Sequence, residues 1–473
     1  MARLQTVGLF EKSAFIDGYK GSSVFNKVVV ANRGAVAARV LRALHEMRIK
    51  AVALYSEADY GAPYLEMASE TYAIGAAPAR DSYLNQDLLL DVFKRAGVDG
   101  VHPGYGFLSE NAQFAQRVTD AGVHFIGPSP KWIDAMGHKT RAREIAAEHG
   151  MPMSKGSDVL PMEPDGILAA ARKIGYPVLV KPAGGGGGIG MLPAKDESEL
   201  LAVVERSRSM ASRGFGNAEV YLERLFERPR HVEFQVLGDL HGNAVHLYER
   251  DCSVQRRNQK VIEEAPGPAL ERSKVNAVAD QIAAIIKDMG YDNIGTVEML
   301  MSADGSFNFL EMNTRLQVEH GVTEEITGVD LVRAQIRSAA GEKLTEILPD
   351  KIEIKGHALQ ARVYAEDPKN FFPSPGKLAV FRPPEDKSIR IETGYAEGRD
   401  VTPHYDPMIA KVIVHEATRE LAIDKLVQAL EAFDIKGPKT NIPAVVAILR
   451  SEQFRSGDVH TGLIPEVLAR KKT

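Results

Sequence analysis

Cysteine is nearly absent, with Cys252 standing alone in 473 residues. A lone thiol excludes an intramolecular disulfide framework and a zinc site built on paired cysteines, and it suits a reducing cytoplasm. An excess of positive charge is missing too. Lys and Arg number 58 against 63 Asp and Glu, a net charge of −5, which speaks against nucleic acid or an anionic membrane as the main partner. No apolar run reaches the length of a membrane span. Residues 1–26 mix Glu11, Lys12, Asp17 and Lys20 with isolated apolar residues and lack a signal-peptide core. They read as an N-terminal extension without a targeting role. The remaining composition is that of an ordinary enzyme too long for one hydrophobic core, so two to four subdomains are expected.

The familiar phosphate motifs fail as well, since Gly-x-Gly-x-x-Gly is satisfied only formally, within the glycine run at 185–190. Val24 to Ala31 is β-branched and apolar, Ala35 to Met47 has helical spacing, and Lys50 to Tyr55 is the next strand. This order predicts a βαβ unit in a parallel sheet, but the turn after the first strand lacks Gly-x-Gly-x-x-Gly, which excludes a dinucleotide site there. Walker A occurs nowhere. A second alternation ends in the glycine-rich loop 103–111, either a plain turn or a ligand loop of the kind α/β folds place after a strand. Gly184 to Gly188 follow a strand carrying Lys181. Five glycines in succession offer unobstructed backbone N–H groups to phosphate oxygens. The proline-bearing strand after them provides no helix N-terminus, so a phosphate-covering hairpin flap is expected, with a flexible glycine linker as the alternative.

The densest chemistry lies at 295–323. Asp304-Gly305 between two β-rich runs predicts a two-residue hairpin loop that sets Glu298 opposite Glu311. Opposed carboxylates repel. A hard divalent cation is the simplest compensation, and Asn313 falls on the same face as Glu311; a solvated hairpin with a coincidental acid pair is the alternative. If the strand continued, the odd-numbered residues 311 to 319 would share that face. His231, Glu233 and Gln235 share a face of another strand, either solvated or functional. The basic run Tyr248 to Lys260 lacks interleaved aromatics, so it reads as an anion pocket rather than a nucleic-acid patch.

Five separated motifs carry a resemblance. His102-Pro-Gly-Tyr-Gly-Phe-Leu-Ser-Glu-Asn111, Lys181 with its glycines, Glu249 to Arg257, Gln259-Lys260, and Glu311 to His320 are together similar to the biotin carboxylases of the ATP-grasp fold. The resemblance runs from about Lys27 to the C-terminus. It implies an α/β chain with an α+β C-terminal part: a Rossmann-like parallel-sheet N-terminal domain (27–138), an ATP-grasp linker and glycine-rich lid (139–225), a catalytic core (226–350) and a C-terminal biotin carboxylase domain (351–473). It implies ATP-dependent carboxylation of biotin by bicarbonate, through carboxyphosphate, with Mg2+ or Mn2+.

By motif, Lys139, Lys181, Gly185, Gly186, Gly187, Gly188, Glu223, Arg224, His231, Gln255, Asn258 and Leu300 would meet ATP. Glu298, Glu311 and Asn313 would hold the metal. Lys260, Arg315, Gln317 and the backbone of Val318 would bind bicarbonate, with Glu319 as general base. Arg315 would stabilise the biotin enolate, and Arg362 and Tyr105 would face biotin.

Three positions depart from the family pattern: Asn258 for histidine, Ile189 for arginine and Gly321 for proline. Ile189, the 257–260 run and Tyr405-Asp406-Pro407 look closer to the biotin carboxylase domain of urea carboxylases. No Ala-Met-Lys-Met biotin attachment motif occurs, so a separate carrier protein and a carboxyltransferase are the expected partners of a homodimer. An ATP-grasp ligase with another acceptor, or a nucleotide-binding regulatory subunit without turnover, are the alternatives.

Overall fold

The computed structural model describes residues 25–184 and 189–470. Most of the expected N-terminal extension and Gly185–Gly188 lie outside the described residues. Among those described, no helix is long and apolar enough to cross a membrane.

The N-terminal part is a five-stranded parallel sheet of strands Lys27–Val30, Lys50–Tyr55, Glu70–Ala73, Gly100–His102 and His124–Phe125. In space they run third, second, first, fourth, fifth, so strand order reverses between the first and fourth. Ligand loops gather at such a switch point. The loops leaving those two strands are tied together there, because Asn32 Nδ2 donates to Pro103 O (2.7 Å) and Tyr105 O (2.8 Å). Gly104 sits under this clamp at φ +65°, where a Cβ would come within 2.9 Å of Asn32 and Val36. Only glycine fits that approach without displacement.

An eight-stranded antiparallel sheet forms the centre, ordered Phe307–Asn313, Ile294–Met301, Arg230–Gly238, Ala244–Arg256, Gln259–Ala265, His357–Tyr364, Met408–Glu416 and Arg390–Glu392. It runs unbroken across residue 350, with Ile262 opposite Ala361. A smaller sheet pairs Val178–Pro182 with both Leu192–Ala194 and Val220–Arg224, so the glycine run does connect a hairpin. Arg257 and Asn258 form a two-residue turn, both at positive φ (49° and 63°), the backbone that twisted hairpins favour. The basic composition of the run gives no sign of that turn.

The acid-pair hairpin reaches its expected pairing by another route. Its loop spans Ser302 to Ser306, where the Ser302 N–H donates to Ser306 O at 3.0 Å and Asp304 Oδ1 accepts from the Ser306 N–H at 3.0 Å. Met301 consequently faces Phe307, one residue off the two-residue-loop register. A bulge then restores it, and Glu298 faces Glu311.

The expected continuation of that strand to Glu319 does not occur. It ends at Asn313, and helix His320–Thr327 begins after an irregular segment. The Thr314 N–H is taken out of the ladder by Glu110 Oε1 at 3.2 Å.

His102 and His320 are fully buried, and burial pushes each imidazole down to about 3. Between pH 6.5 and 4.5 the unfolded chain therefore binds protons that the folded one does not, so stability falls as pH falls. Each of the two should contribute a slope of about 1.4 kcal/mol per pH unit in that window. Denaturant unfolding at pH 7, 6 and 5 measures it, and a His102→Gln variant should show a shallower decline.

Candidate active site

Four elements meet at one ammonium. Lys260 Nζ lies 2.5 Å from Glu233 Oε2, 2.7 Å from Glu298 Oε1 and 2.7 Å from Glu319 Oε1. Adjacent antiparallel strands put these groups on one face. Glu298 is opposite Glu233, and Glu233 is opposite Arg250, whose Nε donates to it at 2.6 Å. The face bearing His231, Glu233 and Gln235 is therefore buried, not solvated.

Burial alone would lift these carboxyls and depress the ammonium. Burial pushes Glu319 up, but Lys260, Arg362 and Arg250 outweigh it and hold the carboxyl well below the usual range. Glu298 is likewise raised by burial and pulled lower by Lys260 and His231. Lys260 is lowered by burial and raised further by Glu233, Glu298 and Glu319, so it stays charged. Cys252 Sγ lies 3.9 Å from Glu319 Oε1. Burial, then Glu233, pushes its thiol well up, which removes the thiolate that nucleophilic chemistry requires.

The other face of Glu319 belongs to Arg362, whose Nη2 donates to Oε2 at 2.9 Å while its Nε donates to Glu263 at 2.5 Å. Gln317 Nε2 donates to Glu298 Oε1 at 3.1 Å. Arg315 reaches Glu110 (2.7 Å), Gln317 Oε1 (2.8 Å) and Asn313 Oδ1 (2.8 Å). Thus Lys260, Arg315, Gln317, Glu319 and Arg362 converge through a turn rather than along one strand. His231 Nδ1 is met by Gln255 Nε2 at 2.9 Å, and its Nε2 faces Glu298 Oε2 at 3.0 Å. Leu300 lies opposite His231 in the ladder. Glu311 extends the cluster to Lys139, 3.3 Å away.

Lys181 and Glu223 form a separate buried pair at 3.1 Å in the smaller sheet, joined by Arg143 at 2.9 Å. Arg224 donates to Tyr176 O at 2.5 Å. Asn258 is exposed at its hairpin tip, and none of its contacts ties it to the Lys260 cluster. The Tyr105 hydroxyl is buried without a partner. The basic run is not one anion pocket, since Arg250, Asp251 and Arg256 are each paired, with Glu233, Arg230 and Glu366.

Glu233, Arg250, Glu263 and Glu110 join the site without standing out as site residues in the sequence. Glu233 had a signal in its alternating strand, and Glu263 in being one of two adjacent acids set among Val261, Ile262 and Ala265. Gly321 opens a space that the Ile413 δ-methyl fills, 2.5 Å from where a Cβ would stand.

The donors opposed on the acid-pair hairpin fit a hard divalent cation. Glu298, Glu311 and Asn313 offer oxygen ligands, Glu311 keeps one-third of its side chain exposed, and the Asn313 Oδ1 is held by Arg315 at 2.8 Å.

Three family models tile the chain: the biotin carboxylase N-terminal domain over residues 24–133, the carbamoyl-phosphate synthase L chain ATP-binding domain over 138–347, and the biotin carboxylase C-terminal domain over 360–466. The chain is 46% identical over 448 residues to a biotin carboxylase of Halalkalibacterium halodurans, covering 95% of this chain and 99% of that one. It is 45% identical to a pyruvate carboxylase subunit of Methanothermobacter thermautotrophicus, covering 94% and 90%. Among solved structures it matches the biotin carboxylase domain dimer of the Hydrogenobacter thermophilus 2-oxoglutarate carboxylase, in complex with MgADP, ADP and bicarbonate. That match has a TM-score of 0.91 and 42% identity, covering 94% of this chain and 99% of that one. With family models over its N-terminal, ATP-binding and C-terminal parts and relatives matched along nearly the whole length, the chain belongs to the biotin carboxylases.

Proposed function

We propose that the chain carries out the biotin carboxylase half-reaction, using ATP and bicarbonate to carboxylate biotin held on a separate carrier protein. The observation that carries this reading is the Glu319 carboxylate gripped between Lys260 and Arg362. It is a base with a cation on each side, one suited to an anionic substrate and the other to the polar ring of biotin. In this reading Lys260, Arg315, Gln317 and the Val318 N–H bind bicarbonate, while Arg362 and Tyr105 face biotin. Lys139, Lys181, the glycine loop, Glu223, Arg224, His231, Gln255, Asn258 and Leu300 surround ATP, and Glu298, Glu311 and Asn313 hold the divalent ion.

An anion drawn to Lys260 and Arg315 competes with Glu319 for the ammonium. Weakening that ion pair raises the basicity of Glu319 when its substrate is in place. Glu319 then takes the bicarbonate proton, and the freed oxygen attacks the γ-phosphorus of ATP, giving carboxyphosphate as ADP leaves. The divalent ion, when bound, supplies neutralisation of phosphate charge. Arg315 is fixed by Glu110, so its planar guanidinium is preorganised first for bicarbonate and then for the biotin enolate.

A biotinylated carrier and a carboxyltransferase are the partners. The acceptor is chosen by the latter, since relatives of nearly equal identity are named for pyruvate and for 2-oxoglutarate. A homodimer is supported by the dimer in the matched structure.

Bicarbonate-dependent ADP release that rises with free biotin tests the assignment. Release indifferent to biotin but stimulated by another carboxylic acid would favour a ligase of different acceptor. Glu319→Gln should lower bicarbonate-dependent turnover by about 10²–10⁴-fold, the usual range for a lost general base, with circular dichroism unchanged. Glu311→Gln should raise the Mg2+ concentration needed for half-maximal ADP release. Because it relieves a cross-strand like-charge pair, its melting temperature should not fall, and a large drop would make the pair structural instead.

A further inference from the structure

The segment between Asn313 and His320 carries the site's densest chemistry, yet no ladder or helix holds it. Side chains do so instead. A peptide unit is planar and trans, so its carbonyl and its N–H point in opposite directions, and fixing one fixes the other. The unit joining Gln317 to Val318 has its carbonyl held by His320, with Nδ1 at 2.7 Å and the backbone N–H at 3.3 Å. A carbonyl only accepts, so Nδ1 carries the ring proton; the buried Nε2 has no partner. The next unit, joining Val318 to Glu319, has its carbonyl held by Lys411 Nζ at 2.8 Å.

Lys411 is wholly buried, a costly place for an ammonium. Its other partner is Glu392 at 2.5 Å, itself paired with Arg390. These charges balance one another, which explains why the ammonium is tolerated. They do not explain why it is aimed at a backbone carbonyl beside Glu319.

We infer that His320 and Lys411 are positioning residues that lock the two peptide planes flanking Val318, one setting the direction of the Val318 N–H and the other the take-off of Glu319. This deepens the proposed function and rests on its placing of bicarbonate at Val318. Neither residue touches substrate. Their effect is on how well an anion is held and a proton removed, so it should appear in bicarbonate kinetics and not in nucleotide affinity.

The test uses Lys411→Met together with Glu392→Gln, so that no carboxylate is left unpaired, and compares His320→Leu with His320→Asn, whose amide can donate to the same carbonyl. Bicarbonate-dependent ADP release is measured against bicarbonate and against ATP, beside thermal unfolding. The double variant should melt near the parent while kcat/KM for bicarbonate falls about ten- to a hundredfold, the usual effect of losing a hydrogen bond to a charged group, with KM for ATP unchanged. His320→Asn should retain more bicarbonate kcat/KM than His320→Leu. A folded double variant within about twofold of the parent overturns the inference, as does a parallel rise in KM for ATP. Should the double variant not fold, equal losses in the two His320 variants overturn it. Full activity of Glu319→Gln would instead sink the assignment of the base, and it is read separately.

Discussion

The Lys260 ammonium is the interaction on which the rest of this structure depends. Glu233, Glu298 and Glu319 come from two strands and a turn, and all three are buried. Like charges so placed would drive the sheet apart without a cation among them. One strand, Gln259–Ala265, delivers it. Breaking such a group by removing one partner leaves uncompensated buried charge, so the fold of the central sheet and the charge of the site cannot be varied independently. The same low-dielectric setting makes the site responsive, because any ion that enters must displace a bond already made.

Much of this was legible in sequence where local chemistry decides the outcome. The βαβ start, the hairpin pairing of the strands flanking the glycine run and the opposition of Glu298 to Glu311 follow from alternation and glycine placement. The acid pair, however, reaches its register through a five-residue loop and a bulge. Asp304 holds the loop with its own side chain, and period-two counting is blind to that. The strand expected to continue to Glu319 stops because Glu110, some two hundred residues earlier, takes the Thr314 N–H. Long-range side-chain bonds to backbone leave no periodic trace. Glu263 and Lys411 escaped for a related reason: a charge set among apolar residues is readable as an oddity, but its partners come from other strands.

Those partners share a pattern with the acid pair. Arg362 and Lys411 face one another across adjacent strands, two cations as closely opposed as the two carboxylates Glu298 and Glu311. Such pairs destabilise a ladder on their own. Here Arg362 is satisfied by Glu263 and Glu319, and Lys411 by Glu392 and the Val318 carbonyl. The segment after Asn313 adds a side-chain bond to each pair, the Glu319 carboxylate to Arg362 and the Gln317 amide to Glu298, while Lys260 and Lys139 neutralise the acids. A strand continuing past Asn313 would keep Gln317 and Glu319 on one face, whereas the irregular segment lets Gln317 reach Glu298 and Glu319 reach both Lys260 and Arg362. Where the ladder ends, side-chain bonds from Glu110, His320 and Lys411 hold the backbone in its place.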